Sequence, residues 1–160
     1  MMTTWGVVVH YTLRGLDKLP NFVGMVLRGV PGKAQIVSQY ALHRPGRWCA
    51  FISTTTSMAA ASSFCDDPAD SVIFRLQVTR GKVINGALSM FPQEGEVLLW
   101  PGQRFMVTRA AYAEGGRTFV DSWTWPSGCP SWSTDLRFAR LTDHGARRPH
   151  APKSGKCACV

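Results

Sequence analysis

Residues 89–107, SMFPQEGEVLLWPGQRFMV, decide how the rest of the chain is read. Glu96-Val97-Leu98-Leu99 and Phe105–Arg109 are short apolar runs bounded by proline and glycine, the pattern of strands. Glu94 and Glu96 stand two residues apart at the mouth of the first, and in extended chain such residues point to one face. Two like charges so close are unfavourable unless a cation comes near them. The chain has only two glutamates before residue 100 and puts both here. A charged turn is one account of the pair; a carboxylate pair built to meet a cation is the other.

Outward from this stretch the pattern repeats. Residues 23–28, 49–53, 72–78, 82–84, 117–123 and 136–141 are further short runs, β-branched or aromatic, between turn residues, and are predicted as strands. Residues 5–18 predict a short helix stopped at Leu19-Pro20. Residues 57–65, SMAAASSFC, predict a second helix, capped by Thr54, Thr55 and Thr56. This order predicts an α+β fold with a largely antiparallel sheet. Residues 121–135, with three tryptophans, two prolines and four serines, are read as a loop folding its indoles onto the sheet, with an aromatic ligand platform as the alternative. From residue 143 no apolar periodicity remains, so residues 1–142 are expected to form the globular unit and 143–160 a basic, disordered tail.

Composition narrows the class. The 160 residues are 45% hydrophobic and only 18% charged, which suits a packed core and excludes a mainly disordered chain. No apolar run reaches the roughly 18–20 residues of a membrane-spanning helix. The N-terminus has no basic segment followed by a long apolar one, so no signal peptide is expected and an intracellular location is. The net charge of +8 is unevenly spread: six of the 18 basic residues and one of the ten acids fall in 137–160. Residues 1–136 therefore carry 12 bases against 9 acids, or +3. That argues against a nucleic-acid-binding domain and leaves a basic arm. The five cysteines (Cys49, Cys65, Cys129, Cys157, Cys159) form no pair with zinc spacing, so no metal is expected, and without a signal peptide reduced thiols are.

Two further patches carry possible chemistry. Val26-Leu27-Arg28-Gly29-Val30 embeds an arginine in an apolar strand. It is either an edge residue reaching solvent along its aliphatic stem or a rigid five-donor clamp for a diphosphate. Trp48-Cys49-Ala50-Phe51-Ile52-Ser53-Thr54-Thr55-Thr56 runs a strand into a hydroxyl cluster. It is either a strand end with a helix cap or a set of hydroxyls that orients a carboxylate or a sugar.

In this order the three patches resemble the arginine–serine–glutamate class of ADP-ribosyltransferases, the animal-type arginine-specific mono-ADP-ribosyltransferases in particular. Residues 11–30 are similar to that family's entry helix and first strand, and 48–64 to its Trp-x-x-Phe-x-Ser-Thr-Thr stretch and helix. Residues 72–107 are similar to its glutamate block, with Phe91, Pro92, Val97, Leu98, Pro101 and Phe105 in register. The similarity covers residues 11–110. It implies two small, mostly antiparallel sheets around an NAD cleft, with residues 1–142 the catalytic domain, NAD as co-substrate and an arginine-bearing protein as acceptor.

The resemblance also implies roles. Glu96 would stabilise the oxocarbenium-like ribose and bind its 2′-hydroxyl, as glycosidase carboxylates do. Arg28 would hold the diphosphate and ribose side of NAD, Gly29 would offer bare backbone to the nicotinamide amide, and Ser53 would orient Glu96, with Thr54 and Thr55 shaping the strand end. Glu94 would choose arginine as acceptor, since a glutamine there goes with other acceptors, and Phe91 would stack on the incoming guanidinium. An NAD glycohydrolase using water as acceptor, and a non-catalytic module that kept the fold, are the rival readings. Unlike the animal members, this chain has only 27 residues before Arg28 and no evident disulfide pattern. The terminal Cys157-Ala158-Cys159-Val160 has the form of a prenylation box behind Arg147, Arg148, Lys153 and Lys156, although Cys159 is not aliphatic. Prenylated Cys157 plus the basic arm would tether the chain to an anionic membrane; a frayed tail is the simpler reading.

Overall fold

The computed structural model describes residues 4–84 and 88–125. The strand expected at 136–141, residues 126–135 of the tryptophan-rich segment, the basic tail and the Cys157 box lie outside the described residues. Along the chain run α1 (Thr4–Asp17), β1 (Asn21–Pro31), α2 (Lys33–Gln39), β2 (Pro45–Trp48), β3 (Ile52–Thr55), α3 (Met58–Ser63) and β4 (Ser71–Ile84). A 3₁₀ turn (Pro92–Glu94), β5 (Glu96–Leu99), β6 (Gln103–Glu114) and β7 (Arg117–Thr124) follow.

The strands form one hydrogen-bonded network in the order β1-β3-β5-β4-β7-β6-β2, with β1 also paired to β4. The pairs β1–β4, β4–β5, β5–β3 and β3–β1 therefore close on one another, and β7, β6 and β2 extend outward from β4. The two expected sheets share β1 and β4. All these pairs are antiparallel except β4 with β7. The Ser71–Phe74 run is buried on successive residues, as a strand covered on both faces must be. Neighbouring residues of β1 likewise enter different cores. Val26 joins the main one with Phe74, Leu76, Val97, Leu99 and Phe105, while Leu27 joins Ala61, Cys65, Ile73 and Phe119 beneath α3.

Several boundaries differ from the sequence expectations, each for a local reason. The strand expected at 49–53 is broken: β2 ends at Trp48 and β3 starts at Ile52. The cap of α3 is Ser57 rather than the threonines, its Oγ accepting from Ala60 N at 3.3 Å. Residues 121–124 belong to β7, with Trp123 buried and its ring 5.1 Å from that of Trp125, so the segment begins as strand and not as loop. Helix α2 was not foreseen. Only Ile36 of its seven residues is buried, and its N-terminus is held from far away, Asp70 Oδ1 accepting from Lys33 N at 3.1 Å. α1 ends where expected. The buried Lys82 ammonium donates to the carbonyls of Asp17 (3.1 Å) and Leu19 (2.9 Å), closing the helix C-terminus electrostatically.

Candidate active site

The closed set of four strands brings together residues that the sequence keeps far apart. Register places Leu27 opposite Thr55, Thr55 opposite Glu96 and Glu96 opposite Ile84. Ser53 lies opposite Leu98 on β5, which sets its hydroxyl beside the Glu96 carboxylate. Ser53 Oγ donates to Glu96 Oε1 at 2.6 Å, a distance typical of a hydroxyl meeting a carboxylate. The Ser53 carbonyl accepts from Arg28 Nη1 at 2.8 Å. A single residue thus links the β1 arginine to the β5 glutamate through its two ends. Among the described residues neither Arg28, Glu94 nor Glu96 enters an ion pair.

The Arg28 guanidinium is pushed below its ordinary pKa by burial, with the Tyr40 phenol acting in the opposite direction. It remains a cation, because no arginine titrates near neutral pH, but one that has lost solvent without gaining a carboxylate among the described residues. Such a group gains from an anionic ligand. Tyr40 is the residue that sequence reasoning missed. It is buried, accepts from Trp48 Nε1 at 3.2 Å, and packs its ring on Phe105 and Phe74. Nothing in the sequence marks it, since it follows α2 as a lone aromatic in a stretch with no motif.

Glu94 and Glu96 are not neighbours in an extended chain, contrary to the same-face expectation. Glu94 ends the 3₁₀ turn, Gly95 turns the chain with φ 59°, and Glu96 opens β5. A side chain at Gly95 would be strained by that φ and would meet Thr56 Oγ1. The turn is fastened to the start of α3: Thr55 Oγ1 donates to the Glu94 carbonyl, and Thr56 N donates to the Gly95 carbonyl at 3.1 Å. Thr54 Oγ1 bonds the Val97 carbonyl. The threonines therefore hold the strand end and the acidic turn together, which fits their expected shaping role.

Gly29 lies on β1 as expected, but its missing side chain has a packing reason. A Cβ there would stand 2.2 Å from the Ala61 carbonyl and 2.7 Å from Cys65 Sγ of the α3 region. Bare Cα lets the helix approach the sheet. Phe91 is exposed, at the head of the acidic turn, its N donating to Ser89 Oγ at 3.0 Å. Cys157 falls outside the described residues. Among the described residues no group of three His, Cys, Asp or Glu side chains is arranged to hold a metal ion.

Solved ADP-ribosyltransferases share this fold. Vis in complex with agmatine superposes with a TM-score of 0.59 at 25% identity, over 78% of this chain and 62% of that one. HopU1 of Pseudomonas syringae pv. Tomato gives 0.57 at 25% identity, over 71% and 49%. A model of the NAD:arginine ADP-ribosyltransferase family matches residues 5–124. A putative NAD(+)–arginine ADP-ribosyltransferase, Mav, of Mycobacterium avium is 34% identical over 114 residues. The chain belongs to the NAD:arginine ADP-ribosyltransferase family. It covers 68% of its own length in the match to Mav but spans only 13% of that relative.

Proposed function

We propose that this chain transfers ADP-ribose from NAD to the arginine side chains of a protein acceptor, releasing nicotinamide. The observation that carries the reading is the Arg28–Ser53–Glu96 chain of contacts, with both charged ends unpaired among the described residues. Arg28, desolvated and short of a carboxylate, suits the diphosphate of NAD. Glu96 keeps one carboxylate oxygen without a described partner and supplies negative charge beside ribose C1′, where positive charge grows as the bond to nicotinamide breaks. Ser53 fixes the Glu96 rotamer, so that charge is in place before the reaction begins. Glu94, on its separately fastened turn, pairs with the acceptor guanidinium and steers its nitrogen to C1′. Phe91 offers an exposed ring face to the same cation. The reaction is a glycosyl transfer in which the guanidinium nitrogen replaces the nicotinamide nitrogen at C1′ and then loses a proton.

The test is incubation of the chain with NAD labelled in the adenosine half, with and without agmatine. Label on agmatine, with nicotinamide released in equal amount, is the expected result. Nicotinamide release that never exceeds the rate without agmatine would make water the acceptor. No release at all would remove the enzymatic reading.

A further inference from the structure

The segments that carry and fasten the acidic turn are short of charge and bear exposed apolar side chains. Between Lys82 and Glu94 no residue is charged, and between Arg47 and Asp66 none is either. These segments are the ones that supply the acidic turn and the β3–α3 junction to which it is fastened. Leu88 is 60% exposed, Met90 90% and Phe91 54%, on the stretch that leads into Glu94. Met58, the first residue of α3 across the fastening, is also exposed. Isolated exposed apolar residues are ordinary on protein surfaces. Three of four consecutive described residues, beside a carboxylate with no ion pair among the described residues, make a local apolar rim.

We infer that the acceptor arginine recognised here is one set among apolar neighbours, not one in a basic cluster. The inference rests on the reading of Glu94 as the acceptor carboxylate. Charge complementarity is confined to the guanidinium, which Glu94 and Glu96 attract. No wider acidic patch is available from these segments to hold lysines or arginines beside it. Residues 1–136 carry +3 and residues 137–160 a further +5, so the chain offers a basic target no general attraction. Contact area beyond the guanidinium must then come from Leu88 and Met90, whose burial against apolar side chains is favourable. Methionine, unbranched and polarizable, adapts to differing apolar shapes.

The experiment uses the full chain, NAD and three peptides of equal length with one arginine each, flanked by leucine and valine, by serine, or by lysine. Agmatine serves as the acceptor without flanks. The expected result is a kcat/KM about tenfold higher for the apolar peptide than for the lysine peptide. The double variant Leu88→Ser/Met90→Ser should lose most of that preference while modifying agmatine at the parent rate. Equal or better use of the lysine peptide overturns the inference, as does a variant that keeps the full preference. A variant that slows agmatine and all peptides alike also overturns it, because the pair would then be supporting the turn. If the parent chain fails to modify agmatine, the arginine-transfer reading itself falls and takes this inference with it.

Discussion

Two polar clusters in this molecule use the same kinds of side chain and arrange them in opposite ways. On β4, β6 and β7, Arg75 donates to both oxygens of Glu114 at 2.8 and 3.1 Å and to the Tyr112 hydroxyl at 2.8 Å. Its guanidinium carbon lies 4.1 Å from the centre of the Phe119 ring, and Tyr112 in turn donates to Asp121 at 2.9 Å. On β1, β3 and β5, Arg28 reaches a backbone carbonyl, and Glu96 reaches one hydroxyl. Charge bonded to its counter-charge raises the pKa of Arg75, chiefly through Glu114, whereas burial lowers that of Arg28. A saturated cluster has nothing left to offer a ligand. A cluster that keeps arginine and carboxylate apart through an intervening serine stays open to one, and the cost of that openness marks functional sites generally.

Glu96→Gln tests the open cluster most severely. The amide keeps the shape and can still meet Ser53 Oγ, but it removes the negative charge proposed to act at ribose C1′. Both transfer and NAD hydrolysis should fall by about 10²–10³ or more. Initial rates of nicotinamide release check this, and a loss of less than about tenfold would assign the charge to another residue. Glu94→Gln should divide the two reactions: transfer to agmatine falls by about 10² while hydrolysis of NAD continues near the parent rate. Equal loss of both would move Glu94 from the acceptor side to the NAD side, and the separation of Glu94 and Glu96 by the Gly95 turn would lose its functional meaning.

The open cluster was largely legible in the sequence and the saturated one was not. Arg28, Ser53 and Glu96 each lie in a motif with local character: an arginine inside an apolar run, a serine leading three threonines, a glutamate at a strand mouth. Their meeting depends on strand register, which the resemblance implied and the pairings Leu27–Thr55–Glu96 supply. Short apolar or aromatic runs bounded by turn residues, such as β5 and β7, were readable to within a residue or so. Helix α2 and strand β2 were not, because their ends are set by distant partners: Asp70 for the one and β6 for the other. Gly29 was legible as important, but its packing role was not, since the Ala61 carbonyl that excludes a Cβ there comes from α3, more than thirty residues on. Tyr112 and Asp121 carry no motif; the fold alone makes them partners.

Arg75→Met provides the complementary test in the saturated cluster. It removes the bonds to Glu114 and Tyr112 but keeps an apolar stem against Phe119. Glu114 is exposed, so the ion pair is screened by solvent and its loss is modest. The melting temperature should drop by about 2–4 °C, and transfer to agmatine should stay within about twofold of the parent. A large loss of activity with little loss of stability would show that this side of the sheet communicates with the Arg28–Ser53–Glu96 cluster, and the division between the two clusters would fail.

The smallest effect concerns the two phenols, one beside each cluster. Burial, first, raises the pKa of Tyr40 above its ordinary value, while the bond from Trp48 and the nearby Arg28 act to lower it. Burial likewise leads for Tyr112, and its bond to Asp121 raises it further, because a phenolate could not donate to a carboxylate. A folded-state pKa above the unfolded one means the fold prefers the neutral phenol. The resulting stability is complete below about pH 10, where the unfolded phenols are still protonated, and is lost as pH rises through the folded values. In the folded protein, phenolate absorbance from Tyr40 and Tyr112 should therefore lag behind that of the denatured chain. The urea midpoint should be lower at about pH 10.5 than at about pH 8. Tyr112→Phe should remove part of the lag with no change in transfer, whereas Tyr40→Phe should remove the other part and leave Trp48 Nε1 without its acceptor. Coincident folded and denatured titration curves would show that neither phenol is shielded, and the burial assigned to Tyr40 and Tyr112 would lose its support.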